Sequence, residues 1–241
     1  MLGTAEPIGV DVRLVLKILI AVLAVGLLAV GGLFAAYKIW WESDPEPRAE
    51  IEETEVTEGS ELDGIYTVAP GPPEAPTFVG YRVTEQFAAA VVESTATGRT
   101  SDVTGSFTIS GNTVSEVSVT ANLLTLTSDR DQRDNAIKTR GLESERFPEA
   151  TFVLTEPIEL PAEPQLGETV DTTAVGDFTL HGVTKRVDIP VQGRWDGVNI
   201  QVVGNLHVVF ADYGMEAPGS PLLASVDDEG EMEFQVFFQK T

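Results

Sequence analysis

From about residue 78 onward the chain alternates apolar and polar positions in short runs. Tyr81-Arg82-Val83-Thr84, Ser106-Phe107-Thr108-Ile109, Val117-Ser118-Val119-Thr120, Asp177-Phe178-Thr179-Leu180, Arg186-Val187-Asp188-Ile189 and Glu233-Phe234-Gln235-Val236 all show it. A period of two puts one face of a strand inward and the other in water. Turn chemistry separates the runs: Ser110-Gly111-Asn112, His181-Gly182-Val183, and Asp196-Gly197 between Trp195 and the stretch from Asn199 to Phe210. These spacings predict antiparallel hairpins. One polar segment, 128–140, breaks the alternation and predicts a short helix. Ser128 would cap it, acids occupy its first turn, Lys138 and Arg140 its last, and Gly141 would supply a left-handed stop. About eight strands and one short helix make an all-β pattern. A small antiparallel barrel, closed or nearly so, fits it best, because closure removes exposed strand edges.

The N-terminal region reads differently. Ile18 to Tyr37 is an unbroken apolar run, and about 20 helical residues at about 1.5 Å each cross a hydrocarbon core of ~30 Å. Arg13 and Lys17 precede this run, whereas mostly acids follow Lys38. The positive-inside rule then puts the N-terminus in the cytoplasm and the rest of the chain outside a cytoplasmic membrane, with Tyr37, Trp40 and Trp41 at the interface. From Glu42 to Asp63 the composition turns acidic and poor in large apolar residues, which predicts a solvated, extended stalk. Four parts result: a cytoplasmic tail (1–17), a single transmembrane anchor (18–41), an acidic stalk (42–61) and the barrel (62–241).

Composition narrows the chemistry. Cysteine is absent, which removes disulfides, Cys-based zinc sites, iron-sulfur clusters and a thiol nucleophile. A formal charge of -23 argues against attraction to nucleic-acid phosphates. His181 and His207 are the only histidines, neither in a helical metal-ligand spacing, and there is no Gly-x-Ser-x-Gly elbow or phosphate-binding glycine loop. The expectation is a binding protein rather than an enzyme, without cofactor or metal.

Several motifs occur together in order: Gly80-Tyr81-Arg82-Val83, Arg133-Asp134, Phe147-Pro148-Glu149-Ala150-Thr151-Phe152, Gly176-Asp177-Phe178-Thr179-Leu180-His181-Gly182-Val183-Thr184-Lys185, and Asp212-Tyr213-Gly214. In these the chain resembles the YceI-like family of lipocalin-like bacterial proteins, over about Leu62 to Thr241. The resemblance implies an eight-stranded antiparallel barrel that binds a polyisoprenoid or similar amphiphilic lipid in its interior. A membrane anchor and acidic stalk depart from the family's exported pattern and place the protein in the bacterial cell envelope as a tethered module.

Physical reasoning alone leaves the barrel solid or hollow, since a small eight-stranded barrel accommodates either. The resemblance favours a hollow. Its expected lining is Phe107, Ile109, Val119, Phe152, Leu154, Phe178, Leu180, Ile189, Phe210, Phe234 and Val236. Arg133 and Asp134 are candidates for headgroup contacts or for a salt bridge tying the helix to the barrel mouth. The leading expectation is thus an extracytoplasmic module that sequesters or presents a lipid. The alternative is a solid-cored interaction or stress-response protein working through loops such as Asp212 to Leu223. Self-association is left open.

Overall fold

The alternating runs become strands whose inward phase is apolar and whose outward phase is polar or covered. In the computed structural model the residues described are 23, 25–32, 45–57, 61–87, 93–160, 164–218 and 223–241. They fall into two units, Met1–Asp44 and Pro45–Thr241. In the first, residues 25–32 form a helix, α1, with Leu27, Leu28 and Val30 exposed. No helix among the described residues is long and apolar enough to cross a membrane. Most of the 18–37 run, and Tyr37, Trp40 and Trp41, lie outside the described residues.

In the second unit eight strands close a ring: β1 (Gly64–Ala69), β4 (Val103–Ser110), β5 (Thr113–Asn122), β7 (Glu149–Leu154), β9 (Thr169–Leu180), β10 (Val183–Trp195), β11 (Asn199–Val209) and β13 (Glu229–Lys240). Each pairs antiparallel with its neighbours, and β13 returns to β1 through Tyr66↔Lys240 to Ala69↔Phe237. The expected eight-stranded antiparallel barrel is what forms. Its elaborations are β2 (Phe78–Phe87), β3 (Glu93–Thr100), β6 (Thr127–Ser128), β8 (Ile158–Glu159) and β12 (Leu223–Val226). The first half of β13, Glu231 to Gln235, pairs with β2 rather than β1, and β2 carries β3, β6 and β12.

Hairpin geometry follows from turn residues. His181 (φ 52°) and Gly182 (φ 74°) are both left-handed, the conformation of a two-residue turn whose twist matches the flanking strands. At the next hairpin Asp196 Oδ1 accepts hydrogen bonds from the Val198 and Asn199 amides. Within β5 the left-handed Glu116 (φ 56°) accompanies a register shift against β4. Such a bulge flips the strand's phase, which lets both Val114 and Val117 face inward.

The polar segment folds as α2 (Asp131–Ala136) continued by a wider turn, Ile137–Gly141. Its expected ends are corrected. Ser128 lies in β6, where its hydroxyl donates to Asp134 Oδ1 (2.6 Å) and accepts from the Arg130 amide, while Arg130 holds the cap position without a side-chain cap. The left-handed residue is Glu143 (φ 44°) rather than Gly141. The wider turn carries the helix past Gly141, which is buried instead against Pro218.

A second correction concerns the acidic stretch. Residues 45–57 do not stand free as a solvated stalk; they run as a strap along the outer wall of the barrel. Arg82 donates to the Glu46 carbonyl, Arg99 to that of Pro47, Gln201 Nε2 to Glu50 (2.9 Å) and Arg194 Nη2 to Thr54 (2.9 Å). Gln201 Oε1 accepts the Glu52 amide in return (2.8 Å). The wall grips backbone, so the acidic side chains can stay in water while the chain docks. Beneath the strap Glu233 is 2% exposed and bonded to Arg82 Nε (2.7 Å) and Arg99 Nη2 (3.0 Å).

Candidate functional site

The barrel interior holds two adjacent hollows with free volumes of about 200 Å³ and about 130 Å³. It is not solid. Packing explains why room remains. Phe152 lies across Gly176 and Phe234 across Gly204, and a Cβ at either glycine would sit 2.6 Å from the ring. The rings thus lie along the wall rather than toward the axis. At the wall of the larger hollow, Phe107 stacks on Tyr66 (5.3 Å) and packs edge-on to Phe238 (4.7 Å) within one core cluster. A second cluster forms around Phe178, Leu180 and Tyr213.

The larger lobe is lined by Phe107, Ile109, Val119, Phe152, Phe178, Ile189, Phe234 and Val236 from the expected set. Leu180 and Phe210 line the smaller lobe, which Phe178 also faces. Leu154 lines neither; it sits half-buried opposite Gly176, near the end of β7. Sequence reasoning missed Val79, Trp195, Ile200 and Met232, which face the same space. Ile200 and Met232 are in phase with residues that alternation did select, and that parity was the available signal.

Arg133 lines the smaller lobe, whereas Asp134 is turned to Ser128. Arg133 makes a two-pronged bridge to Glu85, Nε to Oε1 at 3.1 Å and Nη2 to Oε2 at 3.0 Å, and it also contacts Asp129. Such a fork on a buried carboxylate is the strong form of ion pair. Burial alone would pull the Arg133 guanidinium down, but Glu85 and Asp129 hold its pKa above the ordinary value. Beside it burial pushes the Tyr81 phenol well up, against the pull of Arg133. Tyr81 is therefore a neutral O–H group. Its buried oxygen makes no well-formed hydrogen bond, and Ser128 is the hydroxyl nearby.

The histidines lie elsewhere. His181 Nδ1 is 3.1 Å from the Tyr213 carbonyl and Nε2 is 2.8 Å from Glu143 Oε2, with the ring against Phe147. His207 faces Glu229 at 3.4 Å on the surface. Among the described residues no group of three or more His, Cys, Asp or Glu side chains is placed to hold a metal ion. The arrangement as a whole is a greasy hollow in two lobes, with the Arg133–Glu85 bridge at the edge of the smaller one.

The chain matches the YceI-like domain family over residues 73–238. A UPF0312 protein of Shewanella sp. (strain MR-4) is 32% identical over 139 residues, covering 54% of this chain and 69% of that protein. One from Vibrio campbellii is 28% identical over 132 residues, covering 51% and 66%. A polyisoprenoid binding domain from Saccharophagus degradans, implicated in plant cell wall breakdown, superposes with a TM-score of 0.56 at 18% identity, covering 73% of this chain and 98% of that one. At that identity the likeness is one of fold.

Proposed function

This chain belongs to the YceI-like family, and from that premise we propose that it is a binding module which takes a polyisoprenoid or similar amphiphilic lipid into its barrel. The observation that carries the reading is the apolar hollow of about 200 Å³, continued toward a second of about 130 Å³. Each buried CH₂ contributes about 0.8 kcal/mol before ordering costs, so affinity rises with chain length until the space is filled. Burial suffices; no metal or base is needed. The ligand of the Saccharophagus degradans domain supports the choice of lipid class.

The same proposal places the module outside the cytoplasmic membrane, anchored by the 18–37 apolar run, so that the lipid is sequestered or presented at the outer face. What supports this is the charge asymmetry across that run. A cysteine introduced at the exposed Asp171 would be the chain's sole thiol. Its labelling by a membrane-impermeant maleimide in intact cells with a permeable outer layer is expected, and labelling only after lysis would reverse the orientation.

The lipid reading is tested by solvent extraction of purified protein with mass spectrometry, together with titration of long-chain isoprenoids. Trp195 faces the larger lobe, so its fluorescence reports filling. Saturable quenching or blue shift is expected. An empty extract together with no saturation would end the proposal.

A further inference from the structure

The strap and the larger lobe share one side chain. Arg194 borders that lobe and, paired with Gln201 across β10 and β11, lies on the outer face where the strap docks. It is buried, and four oxygens take its guanidinium. Nε donates to the Gly167 carbonyl (3.1 Å), Nη1 to the Glu52 carbonyl (3.3 Å) and Thr54 Oγ1 (2.7 Å), and Nη2 to the Thr54 carbonyl (2.9 Å). All four are neutral, and three belong to the strap.

Gly167 is the other half of the contact. It lies in 164–168, the segment leading into β9, of which Pro164 and Glu168 border the larger lobe. Its amide donates to the Trp195 carbonyl (2.8 Å) and its carbonyl accepts from Arg194. Val56 of the strap packs on its open side, where a Cβ would come within 2.8 Å of Val56 Cγ2. One residue on, the Thr57 amide donates to the Asp196 carbonyl (2.9 Å) in the β10–β11 turn. The strap therefore braces two segments at the same end of the lobe.

Resting on the reading of the hollow as a lipid site, we infer that the strap is its latch: ligand enters and leaves the larger lobe past residues 164–168, when residues 52–57 undock. The coupling runs through a buried charge. Without the strap Arg194 loses three of its four acceptors, and a buried guanidinium without partners is strongly unfavourable. It must turn to water, which drops the Gly167 carbonyl, and the Val56 brace has left with the strap. Of the three contacts at Gly167 only its amide bond then remains. At the smaller lobe the corresponding tie is the Arg133–Glu85 fork, a two-pronged ion pair. Bonds from Arg194 to neutral oxygens make the weaker closure, so the larger lobe opens first.

The test uses the full chain in phosphatidylcholine vesicles, with Trp40→Phe and Trp41→Phe so that Trp195 alone reports, and the isoprenoid alcohol farnesol as probe. Val56 and Gly167 are close enough for Val56→Cys with Gly167→Cys to form the chain's one disulfide. Strain at the left-handed Gly167 (φ 79°) is common to the reduced and oxidised forms, so comparing the two within one protein cancels it. Oxidation is expected to slow both association and dissociation by about tenfold or more at nearly unchanged affinity, because entry scales with the population of the open form. Gln201→Ala loosens the strap at Glu50 and Glu52 without bordering either lobe, and should speed both rates about three- to tenfold. Equal rates in the oxidised and reduced forms overturn the latch while the lipid reading stands. Absence of saturable binding even in the chain without cysteines removes both.

Discussion

At the scale of single residues, the hollow exists because two glycines let two phenylalanines lie flat. An alanine at Gly204 would bring Cβ within 2.6 Å of the Phe234 ring and 2.8 Å of the Pro190 carbonyl. The ring must then swing into the cavity. Gly204→Ala is expected to cost about 1–3 kcal/mol, as overpacking usually does, and to weaken ligand binding as well; a urea melt and a titration check the two effects together. Glu233 makes a second case. Removing a carboxylate that two arginines share beneath the strap leaves buried charge unpaired, so Glu233→Ala should cost about 3–5 kcal/mol in the same urea assay. The inward aromatics such as Phe107 and Phe178 were legible because alternation marks them directly. Tyr81 was legible as a strand residue only, and Glu85 was passed over, because a carboxylate on the inward phase makes sense only once Arg133 arrives from a helix distant in sequence. Ser128 and Gly141 misled for the opposite reason. Their local preference for a cap and a stop was real, but β6 pairing and the wider turn moved both ends of the helix.

At the scale of elements, the strap shows how composition can hide docking. Counting acids in 42–61 predicts repulsion and exposure, yet the barrel wall recognises the strap through its carbonyls and amides, which composition does not encode. Gln201 is the centre of that recognition, donating to Glu50 and accepting from Glu52. Gln201→Ala combined with Arg194→Ala is expected to raise amide hydrogen exchange at Glu52 by about tenfold or more, since each lost bond contributes about 1 kcal/mol. Unchanged protection there would mean that the strap is held by other contacts. Three hairpin turns, in contrast, were legible, whereas β3 and β12 carried no turn signal that marked them. His181-Gly182 and Asp196-Gly197 carry their geometry locally, so neighbouring strands had only to accept it.

At the scale of the whole molecule, a hollow is stability forgone. Ala174 is buried and faces the larger lobe, so Ala174→Leu puts new side-chain volume where there is space. Cavity filling of this kind commonly adds about 0.5–2 kcal/mol. The variant is expected to melt higher and bind chain-like ligands more weakly, and a melt that rises without loss of affinity would place the ligand elsewhere. Conversely, a lipid at about 100 times its Kd should stabilise the native barrel by about 2.7 kcal/mol, read as a rise in Tm. Closure has a temporal cost too. β13 pairs with β1, β2 and β11, yet it follows all of them along the chain. The ring therefore stays an open, oily sheet throughout synthesis of everything before Glu229, and pairing so distant in sequence is slow. A nascent chain in that state exposes unpaired edges, which makes the interval before β13 emerges the period when a holding chaperone matters most.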